Sequence, residues 1–167
     1  MLCNYFQLKE MNFGQLMEIY AEGNIEKARD EFSNEDLNLG ILYVEQDFYQ
    51  YLKNVFFAAD GARYCVWEEK GRYLSALRLE PYKDGLLLEA LETHPQYRRK
   101  EYAKQLIRSV LQLLEGTGVH AIYAHVHKKN TASLQTHMSC GFRRVSKQAT
   151  YIDGSVNSAC CTLCYFF

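Results

Sequence analysis

The spacing of apolar residues changes along the chain and predicts helices first and strands afterwards. A short strand is predicted at 5–8. From Asn12, which can cap a helix, apolar side chains then recur at helical spacing toward Tyr20 and, past a break at 23–24, toward Phe32. The N-terminal part of the chain is therefore expected to be mainly helical.

A second helix is predicted over 42–57, because its large apolar residues fall on one face. The pattern then alternates, and 62–68 with 72–79 predict a hairpin. The remaining predicted elements are a strand at 86–92, a helix at 103–114, a strand at 119–127, a short helix at 130–140, and strands at 142–151 and 159–166. This order indicates an α/β fold on one mixed sheet, with a right-handed parallel crossover over 86–126.

The composition indicates one folded domain over residues 1–167. Hydrophobic residues make up 48% of the chain and charged residues 23%, which argues against disorder. The net charge of −1 leaves no basic field to recruit nucleic acid. No apolar run approaches the ~18 residues needed to span a bilayer, and no signal peptide is visible. We therefore expect a cytoplasmic protein without nucleic-acid or membrane partners.

The six cysteines are expected to be reduced thiols that pack in the interior. Cys161 and Cys164 have the spacing of a metal or redox pair. However, residues three apart on a strand face opposite sides, and no second Cys/His pair has zinc-site spacing. His125 and His127 share one face of a predicted strand, but no third ligand is near them. The sequence therefore predicts no metal.

A cluster of cations follows the apolar strand at 86–91. Pro95 ends this strand, Arg98, Arg99 and Lys100 follow, and an amphipathic helix then begins. Such a turn can hold a phosphate, because the first N–H groups of a helix are unpaired and its dipole is positive there. The alternative from physics alone is a basic turn that only solvates the start of the helix.

Two segments resemble a known family. Arg98-x-x-Glu101-x-Ala103 resembles the R/Q-x-x-G-x-G/A pyrophosphate loop of the GNAT superfamily of N-acetyltransferases, and 130–142 resembles that family's later helix and Gly-Phe pair. The resemblance implies a mostly antiparallel central sheet, about four helices, and a splayed pair of parallel strands. Acetyl-CoA, the cosubstrate of the family, would enter the gap between those two strands.

The resemblance also implies how the cofactor would be held. Backbone amides from Arg99 to Lys104 would bind its phosphates, and an N–H within 91–93 would bind the thioester oxygen. The implied cofactor-binding residues are Leu91, Thr93, Arg98, Arg99, Lys100, Glu101, Tyr102, Ala103, Lys104 and Asn130. Glu101 replaces the family's usual glycine, and its carboxylate competes with phosphate, so weaker binding is expected. Asn130 could instead be a plain helix cap.

Three side chains are candidates for proton transfer. Glu89 and Glu92 lie on the strand where the family often places an acidic base, and Glu89 is preferred. Their parity is opposite, so both face the cleft only if the bulge that the family carries is present. His137 stands where many members have a tyrosine that protonates the thiolate. The alternatives are solvated glutamates at a strand end and a structural histidine.

We therefore predict an N-acetyltransferase that moves the acetyl group of acetyl-CoA to a small-molecule or peptide amine, by direct attack in a ternary complex. Glu101 and His137 motivate an alternative, a GNAT-fold module that binds CoA or another anion, or regulates, without efficient turnover. A structural domain is the third interpretation. The side chains expected near the acceptor are Tyr20, Tyr43, Phe48, Tyr51, Tyr151 and Asp153, which suit a cationic amine. The C-terminal hairpin could pair in a homodimer.

Overall fold

The computed structural model describes residues 1–33 and 35–167, and within them nine strands and five α-helices are found. The strands are β1 (Leu2–Tyr5), β2 (Arg63–Glu69), β3 (Arg72–Tyr82), β4 (Gly85–Thr93), β5 (Ala121–His127), β6 (Arg143–Ser146), β7 (Ala149–Thr150), β8 (Val156–Asn157) and β9 (Cys160–Phe166). The helices are α1 (Phe13–Ile19), α2 (Ala21–Glu31), α3 (Leu37–Asn54), α4 (Tyr102–Leu114) and α5 (Thr131–Ser139). Seven strands form one sheet in the order β1-β2-β3-β4-β5-β9-β6.

The central strands β4 and β5 are parallel and come apart along their length. Their pairing runs from Leu86 opposite Ile122 to Leu88 opposite Ala124, although both strands continue beyond it. Every other strand pair among the described residues is antiparallel. The predicted α/β fold, with a mostly antiparallel sheet and one splayed parallel pair, is confirmed.

The two parallel strands are closest where β4 begins. A Cβ atom on Gly85 would overlap the carbonyl oxygen of Ala121 on β5, so this approach requires glycine. The strands therefore touch at one end and separate at the other, and the gap opens toward the start of α4.

Apolar side chains cover both faces of the sheet. On one face, Leu106, Ile107 and Val110 of α4 pack against Leu77 and Leu88. On the other face, α1, α3 and the turn after α3 pack on β2 through Leu16, Ile19, Leu52, Phe56 and Tyr64. Burial of each such side chain stabilises the fold by about 1.5–3 kcal/mol, so the sheet is fixed from both sides. Within the described residues no helix is long and apolar enough to cross a bilayer.

The first strand and the first helix have different boundaries from those predicted. β1 covers Leu2–Tyr5 rather than 5–8, because these residues pair with β2, and Leu8 begins a short 3-10 turn instead. The helix that begins after Asn12 breaks at Tyr20, where α1 ends and α2 follows, and not at 23–24. This extra break gives five helices where about four were expected.

The helix predicted over 42–57 is α3, and it begins earlier, at Leu37. Asp36 caps it by accepting hydrogen bonds from the N–H groups of Asn38 and Leu39, at 2.9 and 3.3 Å. Leu37 and Leu39 are exposed, so the first turn does not share the apolar face on which the prediction rested.

The C-terminal strands are shorter than predicted. The segment 142–151 forms two strands, of which β6 joins β9 in the large sheet and β7 pairs with β8 separately. Between them, the Gln148 carbonyl accepts a hydrogen bond from Thr162 Oγ1 at 2.8 Å. Cys161 and Cys164 on β9 belong to apolar clusters on opposite faces of the sheet, as strand parity requires.

Candidate active site

A bulge interrupts β4 just beyond the point where β5 leaves it. Arg78 on β3 lies opposite Glu89, and Ala76 lies opposite Glu92, so β4 uses one more residue than β3 over this stretch. Ala90, in the bulge, has a φ of +51°, in the left-handed region. The bulge reverses the strand parity, so Glu89 and Glu92 lie on the same face of the sheet.

Two tyrosines hold this bulge from the side of the N-terminal helices. Tyr20, between α1 and α2, donates a hydrogen bond to the Ala90 carbonyl oxygen at 2.7 Å, and Tyr64 on β2 donates to the Tyr20 hydroxyl at 2.8 Å. Burial raises the pKa of both phenols, so both remain donors at neutral pH. From sequence, Tyr20 is expected only near the acceptor, since no local pattern shows that it reaches β4.

A cavity of about 640 Å³ lies between the end of β4 and the first turns of α4 and α5. Nine residues predicted to contact the cofactor line it, namely Leu91, Thr93, Arg98, Arg99, Glu101, Tyr102, Ala103, Lys104 and Asn130. Lys100 does not, because its ammonium lies 5.2 Å from the centre of the Tyr97 ring. Glu92 and three residues of α5 complete the wall. The three α5 positions, Ala132, Ser133 and Thr136, were missed because they carry no charge or motif signal.

The backbone between β4 and α4 has the geometry of an anion-binding loop. Arg99 and Glu101 have φ values of +62° and +63°, which glycine adopts more easily than other residues. Among the described residues no side chain caps the N-terminus of α4, so its first N–H groups remain open to an anion. At the start of α5, by contrast, the Asn130 side chain accepts a hydrogen bond from Ser133 N–H at 3.0 Å.

Glu101 is turned toward the helix that it precedes. Its carboxylate accepts a hydrogen bond from Lys104 Nζ at 2.7 Å, and this bond lowers the pKa of Glu101. The backbone of Glu101 thus adopts a conformation that glycine adopts more easily, while its side-chain charge is paired with Lys104.

Arg98 connects the loop to two other parts of the site. Its guanidinium donates to Glu22 on α2 at 2.6 Å, to Glu92 at 3.4 Å, and to the Thr93 carbonyl oxygen at 3.4 Å. The Glu92 carboxylate also accepts the N–H of Thr93 at 3.0 Å. Arg98 and Glu92 are therefore engaged with each other and with the end of β4.

Glu89 lies just before the bulge, in an ion pair with Arg78 at 3.3 Å. The side chains of Arg78 and Glu89 are only 14% and 24% exposed, so the pair is largely shielded from water. Aromatic rings cover the guanidinium, with the Tyr51 centroid at 5.2 Å and the Phe48 centroid at 5.9 Å. These aromatic residues of α3 are among those expected near the acceptor.

A second carboxylate, not predicted from the sequence, lies beside this pair. Glu80 follows Arg78 on the same face of β3, and burial, reinforced by a hydrogen bond with Glu89, raises the pKa of Glu80 to about 7. The alternation of Arg78 and Glu80 with Leu77 and Leu79 is visible in the sequence. That pattern could have indicated a charged strand face, but not its contact with Glu89.

His137 does not line the cavity. Its ring is buried, with Nδ1 2.8 Å from the Ser133 carbonyl oxygen and an edge-to-face contact with Phe142 at 5.3 Å. Burial lowers the pKa of His137, and its Nε2 has no hydrogen-bond partner among the described residues. The ring therefore lies in the core between α5 and Phe142.

His125 makes polar contacts with neighbouring residues and, within the described part of the chain, does not belong to a cluster of possible metal ligands. Its Nε2 lies 3.0 Å from the Thr150 carbonyl oxygen and its Nδ1 lies 3.1 Å from Thr162 Oγ1. Burial lowers the pKa of His125. In residues 1–33 and 35–167, no three His, Cys, Asp or Glu side chains come together as a metal site.

Known proteins share both sequence and fold with this chain. The acetyltransferase (GNAT) family profile matches residues 23–142. The [ribosomal protein bS18]-alanine N-acetyltransferase of Haemophilus ducreyi is 24% identical over 104 residues, which cover 59% of this chain and 72% of that protein. The chain belongs to the GNAT family of acetyltransferases.

Solved structures extend the likeness to the whole chain. An acetyltransferase of Streptococcus agalactiae has a TM-score of 0.66 at 14% identity, with 100% of this chain and 98% of that one covered. The PaiA N-acetyltransferase of Thermoplasma acidophilum, solved in complex with coenzyme A, has a TM-score of 0.62 at 10% identity, with 100% and 99% covered. At this identity the likeness concerns the fold, which is that of GNAT acetyltransferases.

Proposed function

We propose that this acetyltransferase moves the acetyl group of acetyl-CoA to a primary amine of a small molecule or peptide, by direct attack within a ternary complex. The observation that carries the proposal is the gap between β4 and β5. Beyond it, residues 91–93 of β4 line the cavity that ends at the open first turn of α4. The gap thus joins an anion-binding loop to the carboxylates on the acceptor side.

The loop from Arg98 to Lys104 suits the phosphates of CoA. Left-handed residues at Arg99 and Glu101 turn neighbouring N–H groups toward one side, and the helix dipole adds positive potential. Arg99 and Lys104 line the cavity, and Arg99 supplies formal charge, whereas the Lys104 ammonium is paired with Glu101. The side chain of Arg98 is already paired with Glu22 and Glu92, so we assign it chiefly to holding the loop in place.

Glu89 is the proposed base. It lies next to the bulge, and its carboxylate can accept the proton of the acceptor ammonium directly or through a water. The ion pair with Arg78 holds the carboxylate in position. Glu92, the other candidate, is already engaged by Thr93 N–H and Arg98, so we assign it to ordering the end of β4.

The Leu91 N–H is the proposed donor to the thioester oxygen as negative charge develops there. The Thr93 N–H is used by Glu92. Ladder bonds alternate along an antiparallel pair, and His94 N–H donates to Leu74 on β3, so the Glu92 N–H also faces β3. That leaves Leu91 facing the gap.

No protein acid is assigned to the departing thiolate. His137 is buried against Phe142, away from the cavity, and we assign it to packing. A thiolate leaves more readily than an amine, and it can take its proton from the attacking nitrogen. The proposal therefore does not depend on the family's tyrosine.

The acceptor is proposed to be a cationic amine with an apolar part. Phe48 and Tyr51 of α3 form an aromatic wall beside Glu89, and such a wall suits a cation. One relative is named for the alanine of a ribosomal protein, so peptides with a free N-terminal amine belong in the first panel of acceptors.

Calorimetric titration with acetyl-CoA, followed by assay of thiol release with an amine panel, tests the proposal. We expect micromolar binding that weakens for dephospho-CoA, and amine-dependent release that falls about 10²–10⁴-fold in Glu89→Gln. Glu26→Gln, an exposed charge on α2, should match the wild type. Binding without release would favour the alternative of a binding module. No binding at millimolar cofactor would overturn both.

A further inference from the structure

A third charged side chain belongs to the group formed by Arg78 and Glu89. Glu80 lies two residues beyond Arg78 on β3, so both project from the same face of the sheet. Glu80 lies opposite Leu87, two residues before Glu89, which makes the two carboxylates diagonal neighbours across the strands.

This group holds two carboxylates and one guanidinium. Arg78 pairs with Glu89, whereas Glu80 has no ion-pair partner in the described part of the chain. Two neighbouring carboxylates shielded from water resist ionising together, so the second of them loses its proton only as the pH approaches neutrality and can take a proton up again there. The pKa of about 7 for Glu80, caused by burial and by the hydrogen bond with Glu89, agrees with this geometry.

Apart from Arg78 and Lys83, the ionisable side chains around the two carboxylates are uncharged at neutral pH. The other titratable or charged side chains near the pair are Tyr51 from α3, Tyr64 from β2, His125 from β5, Tyr151 after β7 and Lys83 after β3. Burial raises the pKa of the phenols and lowers that of the histidine, so these four are uncharged at neutral pH. The Lys83 ammonium lies over the rings of Tyr82 and Tyr123.

We propose that Glu80 is the final acceptor of the proton that the substrate ammonium loses, and that Glu89 passes this proton to it. The inference rests on the N-acetyltransferase function proposed above. Glu89 lies beside the bulge, and Glu80 lies one strand further from it. A carboxylate without its own cation, poised near neutral pH, is suited to hold a proton during one turnover and to release it afterwards.

Two protons leave the acceptor nitrogen during the transfer. The acceptor ammonium gives one proton to Glu89, which passes it to Glu80, and the nitrogen lone pair then forms a bond to the acetyl carbon. The carbon–sulfur bond breaks, and its electron pair leaves with the sulfur. The second proton on the new amide nitrogen goes to the thiolate, and Glu80 later releases its proton to water.

The test compares kcat against pH, at saturating acceptor, for the wild type, Glu80→Gln and Glu26→Gln. In the wild type and in Glu26→Gln, kcat should fall on the acid side with an apparent pKa near 7. In Glu80→Gln the plateau should drop about 10-fold or more, and the acid limb should move to lower pH. An unchanged plateau and limb in Glu80→Gln would overturn the proposal.

Thermal unfolding gives a second readout that needs no activity. The pKa of Glu80 is raised in the folded state from an ordinary value of 4.5 to about 7, so the folded chain holds a proton that the unfolded chain has lost. Wild-type stability should therefore fall, relative to Glu80→Gln, as pH rises through that window. If the stabilities of the wild type and of Glu80→Gln changed with pH in the same way, the claim that Glu80 holds a proton in the folded chain would be overturned. If the wild type shows no amine-dependent thiol release, the proposed function fails, and the relay fails with it.

Discussion

The two sides of the proposed site use different kinds of chemical group. The proposed cofactor side, at 98–104, consists of backbone N–H groups at a helix start and of exposed cations. The proposed acceptor side consists of Arg78, Glu80 and Glu89, which strand register brings together in a shielded place. Backbone donors survive most side-chain substitutions, whereas a shielded charge group does not survive the loss of a partner. The acceptor side should therefore respond far more strongly to mutation.

The largest effect is expected from Arg78→Met. The change leaves Glu89 without its ion pair at a position where 24% of its side chain is exposed. Removing one partner of a buried pair costs about 3–5 kcal/mol, and the partial exposure favours the lower end of that range. Urea titration should show a loss of about 3 kcal/mol in the free energy of unfolding.

The control is Arg144→Met on β6, where the cation is exposed. It should change the free energy of unfolding by less than about 0.5 kcal/mol. Equal losses in the two variants would show that the acceptor-side group has no special place in the fold, and the contrast between the two sides would fail.

An intermediate effect is expected from Tyr20→Phe. The Ala90 carbonyl loses its donor and the Tyr64 hydroxyl loses its acceptor, so the free energy of unfolding should drop by about 1–2 kcal/mol. The matched control is Tyr43→Phe, because the Tyr43 side chain is exposed. A Tyr20→Phe variant as stable as this control would mean that the bulge does not depend on the tyrosine pair.

The smallest effect is expected on the cofactor side, from Glu101→Gly. Glycine adopts the +63° φ of this position without strain, and the change removes a negative charge beside the phosphates. Calorimetry should show acetyl-CoA binding about threefold tighter. Glu101→Ala removes the charge but keeps the Cβ atom, so the difference between the two variants isolates the backbone term. Weaker binding in both would show that Glu101 assists the cofactor.

The same contrast explains which parts of the site could be predicted from sequence. The loop residues 98–104 form one short segment, and Asn130 begins another. Each segment carries its own local motif, and the two motifs together are enough to indicate that these residues line one cavity. The contact of Glu80 with Glu89 depends on how β3 and β4 pair, and the Tyr20 bond to Ala90 spans 70 positions. Such contacts follow from tertiary packing, which no local pattern encodes.

Errors in the predicted elements have a similar cause. The first turn of α3 was not predicted because its leucines are exposed and do not continue the apolar face. The bounds of β1 follow from its pairing with β2, which the sequence pattern does not show. The place of the His137 ring against Phe142 is likewise set by tertiary packing, which its alignment with a tyrosine does not reveal. Element types were thus predictable from periodicity, and the positions of their ends were not.

The close approach at Gly85 has a consequence for engineering. Any side chain there would meet the Ala121 carbonyl, so this position acts as the fixed pivot from which the two parallel strands diverge. In a library of variants screened for activity on new acceptor amines, active variants should keep glycine at position 85. The exposed positions 152–156 should tolerate many residues. The absence of a Cβ atom at position 85 thus allows the close approach from which the gap opens. New specificity is best sought at positions away from Gly85.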